Sequence, residues 1–241
     1  MRITRDTLAS GAVLDFIREE VEAAPGSGHE VLGERELALS LERALDGWDG
    51  RTDLWLFGYG SLIWNPAFRH SETRVAALRG WHRSFCLWLR LGRGSSRHPC
   101  LMLALDEEAG ASCHGVAFRV PAAEVRTELP LLWVREMATG AYAVRWLPVE
   151  TERGRVRALA FVADRAHPLY AGPMPGDQAA ALIAAGSGRL GGCADYLLST
   201  ADHLGELGLS DPRLDDLAAR VRAVLAGSGK RRRGRGGGAA G

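Results

Sequence analysis

Two short stretches hold the residue types that chemistry needs: Phe57-Gly58-Tyr59-Gly60-Ser61-Leu62, and the lone carboxylate Glu136 ahead of Ala138, Thr139, Gly140 and Ala141. In the first, an apolar run from Leu54 breaks into two glycines around a tyrosine and then a serine, which reads as a strand entering a loop. Glycines admit positive φ and close approach, so the amides of such a loop can bind an oxyanion, with the Tyr59 and Ser61 hydroxyls beside them. A ligand-free hairpin turn fits the same residues. In the second stretch, the spacing of Val125, Leu129 and Leu132 places Glu136 at the end of a helix. If Glu136 faces inward there, burial and the negative end of the helix dipole raise its pKa and suit it to general-base work. A surface ion pair with Arg135 or another arginine is the competing reading.

The elements that must position these residues follow from periodicity. The helix leading to Glu136 opens near Pro121, a residue suited to a first turn. It contains Pro130, which removes an amide and crowds the Arg126 carbonyl, so a kink or a late start is expected. Short β-rich segments at 54–58, 74–78, 81–90, 101–105, 113–120, 142–149 and 156–163 are enough for a small barrel or a strongly curled sheet. Upstream, Leu8, Val13, Phe16, Ile17 and Val21, then Leu37, Leu41 and Leu45, predict helices on either side of the break at Pro25-Gly26-Ser27-Gly28. Downstream, helices are expected at 177–185, 194–207 and 212–226, the last opened by Asp211-Pro212. The fold class is α+β: a helical N-terminal extension over 1–53, one domain over 54–227, and a basic Gly-rich tail over 228–241 that reads as disordered.

Composition narrows the partners. Among 241 residues, 30 Lys+Arg against 29 Asp+Glu leave a net charge of +1, which argues against a globally basic nucleic-acid binder. The tail Lys230-Arg231-Arg232-Arg233-Gly234-Arg235 can attract phosphates, though a solvated terminus is the simpler reading. Cys86, Cys100, Cys113 and Cys193 form no CxxC pair, and the seven histidines are scattered, so reduced thiols and no metal are expected. No Walker loop, dinucleotide fingerprint, Gly-x-Ser-x-Gly elbow or His-Glu-x-x-His motif calls for a cofactor or a familiar nucleophile. No apolar run approaches the roughly 20 residues of a membrane span, and no basic segment leads into an apolar one at the N-terminus, so a cytoplasmic protein is expected.

The order and spacing of Phe-Gly-Tyr-Gly-Ser-Leu at 57–62, Arg79-Gly80-Trp81-His82-Arg83, Arg93-Gly94-Ser95 with Pro99, Arg135-Glu136 with Gly140 and Tyr142, and Asp195-Tyr196-Leu197 resemble the ChaC family of γ-glutamylcyclotransferases over about residues 53–225. The resemblance implies a cyclotransferase-like small β-barrel with flanking helices. It also implies cofactor-free lyase cleavage of glutathione into 5-oxoproline and cysteinylglycine, with the catalytic glutamate at Glu136. Residues 57–62 would hold the γ-glutamyl group, with Tyr142 and Tyr196 as hydroxyl donors, each equally at home as a core-edge aromatic. The sequence departs from the family pattern at Ala141, Cys100 and Pro130. Two alternatives stay open: the same ring closure on other γ-glutamyl amino acids or amines, and a non-catalytic binding module whose basic tail contacts RNA.

Overall fold

A computed structural model of the chain describes residues 1–209 and 211–235, with side chains through Gly227. Five strands, β1 (Leu54–Gly58), β2 (Glu72–Leu89), β3 (Cys100–Val120), β4 (Tyr142–Thr151) and β5 (Gly154–Ala163), close into a barrel in the order β1-β3-β2-β4-β5. Closure is made by the parallel pairing of β1 with β5, Trp55 opposite Ala158 and Leu56 opposite Leu159. Both faces of the wall are covered, which is why its strands read as nearly continuous apolar runs. Leu56, Phe118, Leu159 and Phe161 belong to one core, while Phe57, Ala117, Ala158 and Ala160 belong to the other, following the twofold alternation of strand side chains.

Seven expected strand segments merge into five strands. The expected segments at 74–78 and 81–90 are one strand, β2, which passes through Gly80 at φ +82. Those at 101–105 and 113–120 are likewise one strand, β3, continuous through the polar stretch around Gly110, also at φ +82. The register shifts there, with Arg79 opposite Ser112 and Trp81 opposite Glu107, so both strands bend together and stay paired.

Helices pack on the barrel in two groups. On one side, α3 (Glu34–Leu45) and α4 (Ala122–Met137) bring Leu41, Leu45, Leu129 and Trp133 into the first core. On the other, α5 (Gly176–Ala185), α6 (Cys193–Glu206) and α7 (Pro212–Arg235) bring Ile183, Leu197 and Val221 into the second. The expected disordered tail, 228–241, falls beyond the described side chains, and residues 236–241 lie outside the described residues altogether. Among the described residues, no helix is long and apolar enough to cross a membrane.

The N-terminal extension is built onto the barrel domain. Helices α1 (Arg5–Ala9) and α2 (Ala12–Glu22) sit near α4, and Arg5 reaches Glu128 with Nε at 3.1 and 3.0 Å and Nη2 at 2.7 Å. Glu128 is buried and also accepts from the Arg69 amide at 3.0 Å, while Asn65 Nδ2 donates to the Ile3 carbonyl at 2.9 Å. Burial of Glu128 raises its pKa, but the bonds from Arg5 and Arg69 outweigh this and hold it below the ordinary carboxylate value.

Pro130 does not delay the helix that carries Glu136. Helix α4 starts at Ala122, with Pro121 as its cap, and runs unbroken to Met137. Pro130 lies on its exposed face, so water can solvate the Arg126 carbonyl that loses its amide partner. A Pro130→Ala variant restores that bond and should be stabilised by about 1–3 kcal/mol in equilibrium urea unfolding. A midpoint unchanged or lowered would show that the proline is matched to its helix.

Candidate active site

The site lies where the loop after β1 meets the C-terminal turn of α4. Strand β1 ends at Gly58, Ser61–Ile63 form a 3₁₀ turn, and the turn is closed by the Ile63 amide on the Gly60 carbonyl at 2.9 Å and the Asn65 amide on Ser61 at 2.9 Å. Two buried arginines grip this loop from opposite sides. Arg83 donates through Nε to the Tyr59 carbonyl at 2.6 Å and through Nη2 to the His114 carbonyl, and pairs through Nη1 with Asp211 at 2.7 Å. Arg135 donates through Nη2 to Ser61 Oγ at 2.7 Å and through Nη1 to the Asn65 carbonyl at 2.5 Å.

The third donor of Arg135 meets the carboxylate. Its Nε lies 3.0 Å from Glu136 Oε1, and the Glu136 side chain is 15% exposed against 6% for Arg135. The ion pair expected as a surface alternative therefore exists, but inside the wall of a cavity. Burial raises the Glu136 pKa above the ordinary value of 4.5, and Arg135 opposes that rise without cancelling it. The carboxyl is thus poised to exchange a proton nearer neutrality than a solvated glutamate would.

Three tyrosines surround it. Tyr142 Oη donates to the Leu103 carbonyl at 2.8 Å. Burial and the nearby Glu136 push the Tyr196 hydroxyl above its usual range, with the neighbouring Ser61 opposing the rise. Burial, followed by neighbouring charge that includes Glu136, pushes the Tyr59 and Tyr142 hydroxyls well above their usual range, so they remain protonated donors. With Glu136, Tyr59, Tyr142 and Tyr196 line a cavity of about 700 Å³, large enough for a small peptide.

Of the residues expected from sequence, Tyr59, Gly60, Ser61, Leu62, Glu136, Tyr142 and Tyr196 all border this cavity. Phe57 and Gly58 do not. They are the last residues of β1, paired with Ala117 and Val116, and Phe57 is buried in the second core. The two loop glycines also act differently from expectation, since neither takes positive φ. Gly60 is required for space: a Cβ there would lie 2.8 Å from Tyr196 Oη and 3.3 Å from Leu103 Cδ2.

Sequence reasoning passed over Trp64, Asn65, Arg93 and the N-terminal residues Met1–Thr4, Val13, Phe16 and Ile17, which complete the wall. Trp64 and Asn65 were findable as the continuation of the loop. Among the described residues there is no cluster of three or more His, Cys, Asp or Glu suited to a metal, and all four cysteines are free and buried.

The site is thus a largely buried carboxylate set against a Tyr-Gly-Ser loop at the mouth of a closed barrel. The family model described as ChaC-like protein matches residues 54–224, and the chain belongs to that family. It is 46% identical over 174 residues to the glutathione-specific gamma-glutamylcyclotransferase of Escherichia coli (strain K12), covering 72% of this chain and 74% of that protein. It is 38% identical over 176 residues to glutathione-specific gamma-glutamylcyclotransferase 1 of Homo sapiens, covering 71% and 78%. The fold is shared with a solved yeast γ-glutamyl cyclotransferase specific to glutathione, at TM-score 0.66 and 19% identity, covering 72% of this chain and 97% of that one.

In a Gly60→Ala variant the new methyl group must displace the Tyr196 hydroxyl. A crystal structure should show the Tyr196 ring shifted, and urea unfolding should register a loss of about 1–3 kcal/mol from overpacking. A ring left in place with full stability would contradict the packing described for Gly60.

Proposed function

We propose that this protein is a cofactor-independent γ-glutamylcyclotransferase that cleaves glutathione to 5-oxoproline and cysteinylglycine in the cytoplasm, with Glu136 moving the proton. The observation that carries the reading is the buried Glu136 carboxyl, held 3.0 Å from Arg135 Nε while the same guanidinium holds Ser61 of the loop. The reaction needs no enzyme nucleophile. The substrate's own α-amine attacks its γ-carbonyl carbon, a ring C–N bond forms, and the C–N bond to cysteine breaks.

Two requirements remain for the protein. First, the γ-glutamyl group must be bent so that amine and carbonyl meet, which is the orientation effect that makes intramolecular attack fast. The Tyr59–Leu62 loop and Tyr196 supply this by gripping the glutamyl end, with main-chain amides and hydroxyls directed at its carboxylate or at the developing oxyanion. Second, the amine arrives as an ammonium, with a reference pKa of about 8, so a base must take its proton. Ionised Glu136 accepts that proton and returns it to the departing cysteine nitrogen, and the second proton shed by the ring nitrogen after attack completes the departing ammonium.

Purified protein incubated with glutathione should release 5-oxoproline and cysteinylglycine in equal amounts. A panel of other γ-glutamyl amino acids and amines measures its selectivity. Absence of both products from folded protein refutes the assignment.

Glu136→Gln should lower kcat/KM by roughly 10²- to 10⁴-fold, the usual contribution of a positioned acid–base group. In the parent enzyme, kcat/KM should fall as pH drops through the raised Glu136 value, giving an acid limb centred above 4.5. The stability sign is opposite. A raised folded-state pKa stabilises the protein below the unfolded value, and that contribution disappears as pH rises through the folded value. The non-ionising Gln variant keeps it, so its unfolding midpoint at neutral pH should equal or exceed the parent's. Retained turnover in this variant would place the base elsewhere.

A further inference from the structure

Arg93 is a cation of the cavity wall near Asp195, whose carboxylate accepts from the Gly192 amide at 3.2 Å rather than pairing with Arg93. It sits in the loop after β2 and lines the same cavity as Glu136 and Tyr196. Its Nη1 donates to the Gly192 carbonyl at 3.3 Å, and its guanidinium lies over the Tyr196 ring, 5.6 Å from the centroid. Among the described residues it forms no ion pair. Arg135, by contrast, already serves Glu136, Ser61 and the Asn65 carbonyl. A guanidinium carries five N–H donors, so most of the Arg93 fork is left for a ligand.

The position is also braced. The Gly92 amide donates to Glu20 Oε2 of α2 at 2.9 Å, and the Gly92 carbonyl accepts from the Leu190 amide at 2.8 Å. The backbone that carries Arg93 is therefore tied on one side to the N-terminal extension and on the other to the turn between the two-residue strands β6 (Ser187–Gly188) and β7 (Gly191–Gly192). A cation held in this way loses little entropy when it binds an anion.

We propose that Arg93 binds the distal, glycyl carboxylate of the tripeptide and so sets a preference for glutathione over γ-glutamyl compounds that end without a charge. The proposal rests on the cyclotransferase reading of the site. Tyr196 supplies the spacing: its hydroxyl lies against Gly60 of the loop at the reacting end, and the face of its ring carries Arg93. From the γ-carbonyl to the glycyl carboxylate there are two residues of chain, which span at most about 7 Å. That length matches one tyrosine ring plus a guanidinium contact. A carboxylate meeting arginine in a cavity sheltered from water forms a short, charge-assisted and often bidentate contact. Arg2 also lines the cavity but is exposed, where water and salt screen such a pairing.

The test compares glutathione with its glycinamide analogue, which keeps the γ-glutamyl and cysteinyl parts and loses only the terminal charge. The parent enzyme should favour glutathione by roughly tenfold to a hundredfold in kcat/KM, mostly through KM. Arg93→Ala should bring that ratio close to one, Arg93→Lys should restore part of it, and Arg2→Ala should preserve it. A parent enzyme indifferent to the terminal charge overturns the proposal. So does an Arg93→Ala variant that loses activity on both substrates equally, or a preference that is lost in Arg2→Ala and kept in Arg93→Ala. Failure of the parent enzyme to turn over either compound is a different result, because it overturns the cyclotransferase activity itself.

Discussion

The site depends on one buried guanidinium. Arg135 spans from Glu136 on the last turn of α4 to Ser61 and the Asn65 carbonyl on the loop after β1. A loop containing two glycines has much conformational freedom to lose, and charge-assisted bonds to its carbonyls and hydroxyl offset that loss. Because Arg135 is the chain neighbour of Glu136, the contact that orders the loop also positions the Glu136 carboxyl. Arg83 completes the grip by holding the Tyr59 carbonyl from the other side, with Asp211 balancing its charge.

This arrangement explains how an ion-paired carboxylate can still have a raised pKa. An adjacent arginine favours the ionised form, and in water it would dominate. Here the guanidinium divides its donors between one Glu136 oxygen and three acceptors on the loop, including the Pro66 carbonyl at 3.4 Å, while burial removes solvent from the carboxyl. Burial then outweighs the pair, and Glu136 remains able to take a proton and release it. A bidentate pair of the kind made by Arg5 and Glu128 would do the reverse: that carboxyl is held below its ordinary value and serves to dock the N-terminal helices.

Local pattern made β1, β4 and β5 legible almost to the residue, because each is a short apolar run bounded by glycine or by a turn. It failed at β2 and β3, where Gly80, Gly110 and the polar residues between look like loops but pair across a shared bend. Glu136, Tyr142, Tyr196 and residues 59–62 converge as expected. Phe57 and Gly58 lie outside the cavity because they end the strand expected at 54–58, paired with Ala117 and Val116, with the Phe57 side chain in the second core. Arg93 was legible as part of the Arg93-Gly94-Ser95 motif but not as a cavity residue, and the N-terminal wall was not legible at all, because nothing local distinguishes a cation or an apolar helix face that meets the site only through tertiary packing.

The N-terminal wall also bears on the chemistry. The family match begins at residue 54, yet Met1–Thr4 together with Val13, Phe16 and Ile17 border the cavity that contains Glu136. The matched domain therefore supplies Glu136 and the Tyr59–Leu62 loop, and the extension supplies part of the enclosure. Enclosure matters because the Glu136 shift arises from burial, and every apolar side chain that displaces water from the cavity strengthens it. The Arg5–Glu128 and Asn65–Ile3 contacts, which fasten the extension to α4 and to the end of the loop after β1, thus connect a packing interaction outside the barrel to the proton affinity of Glu136.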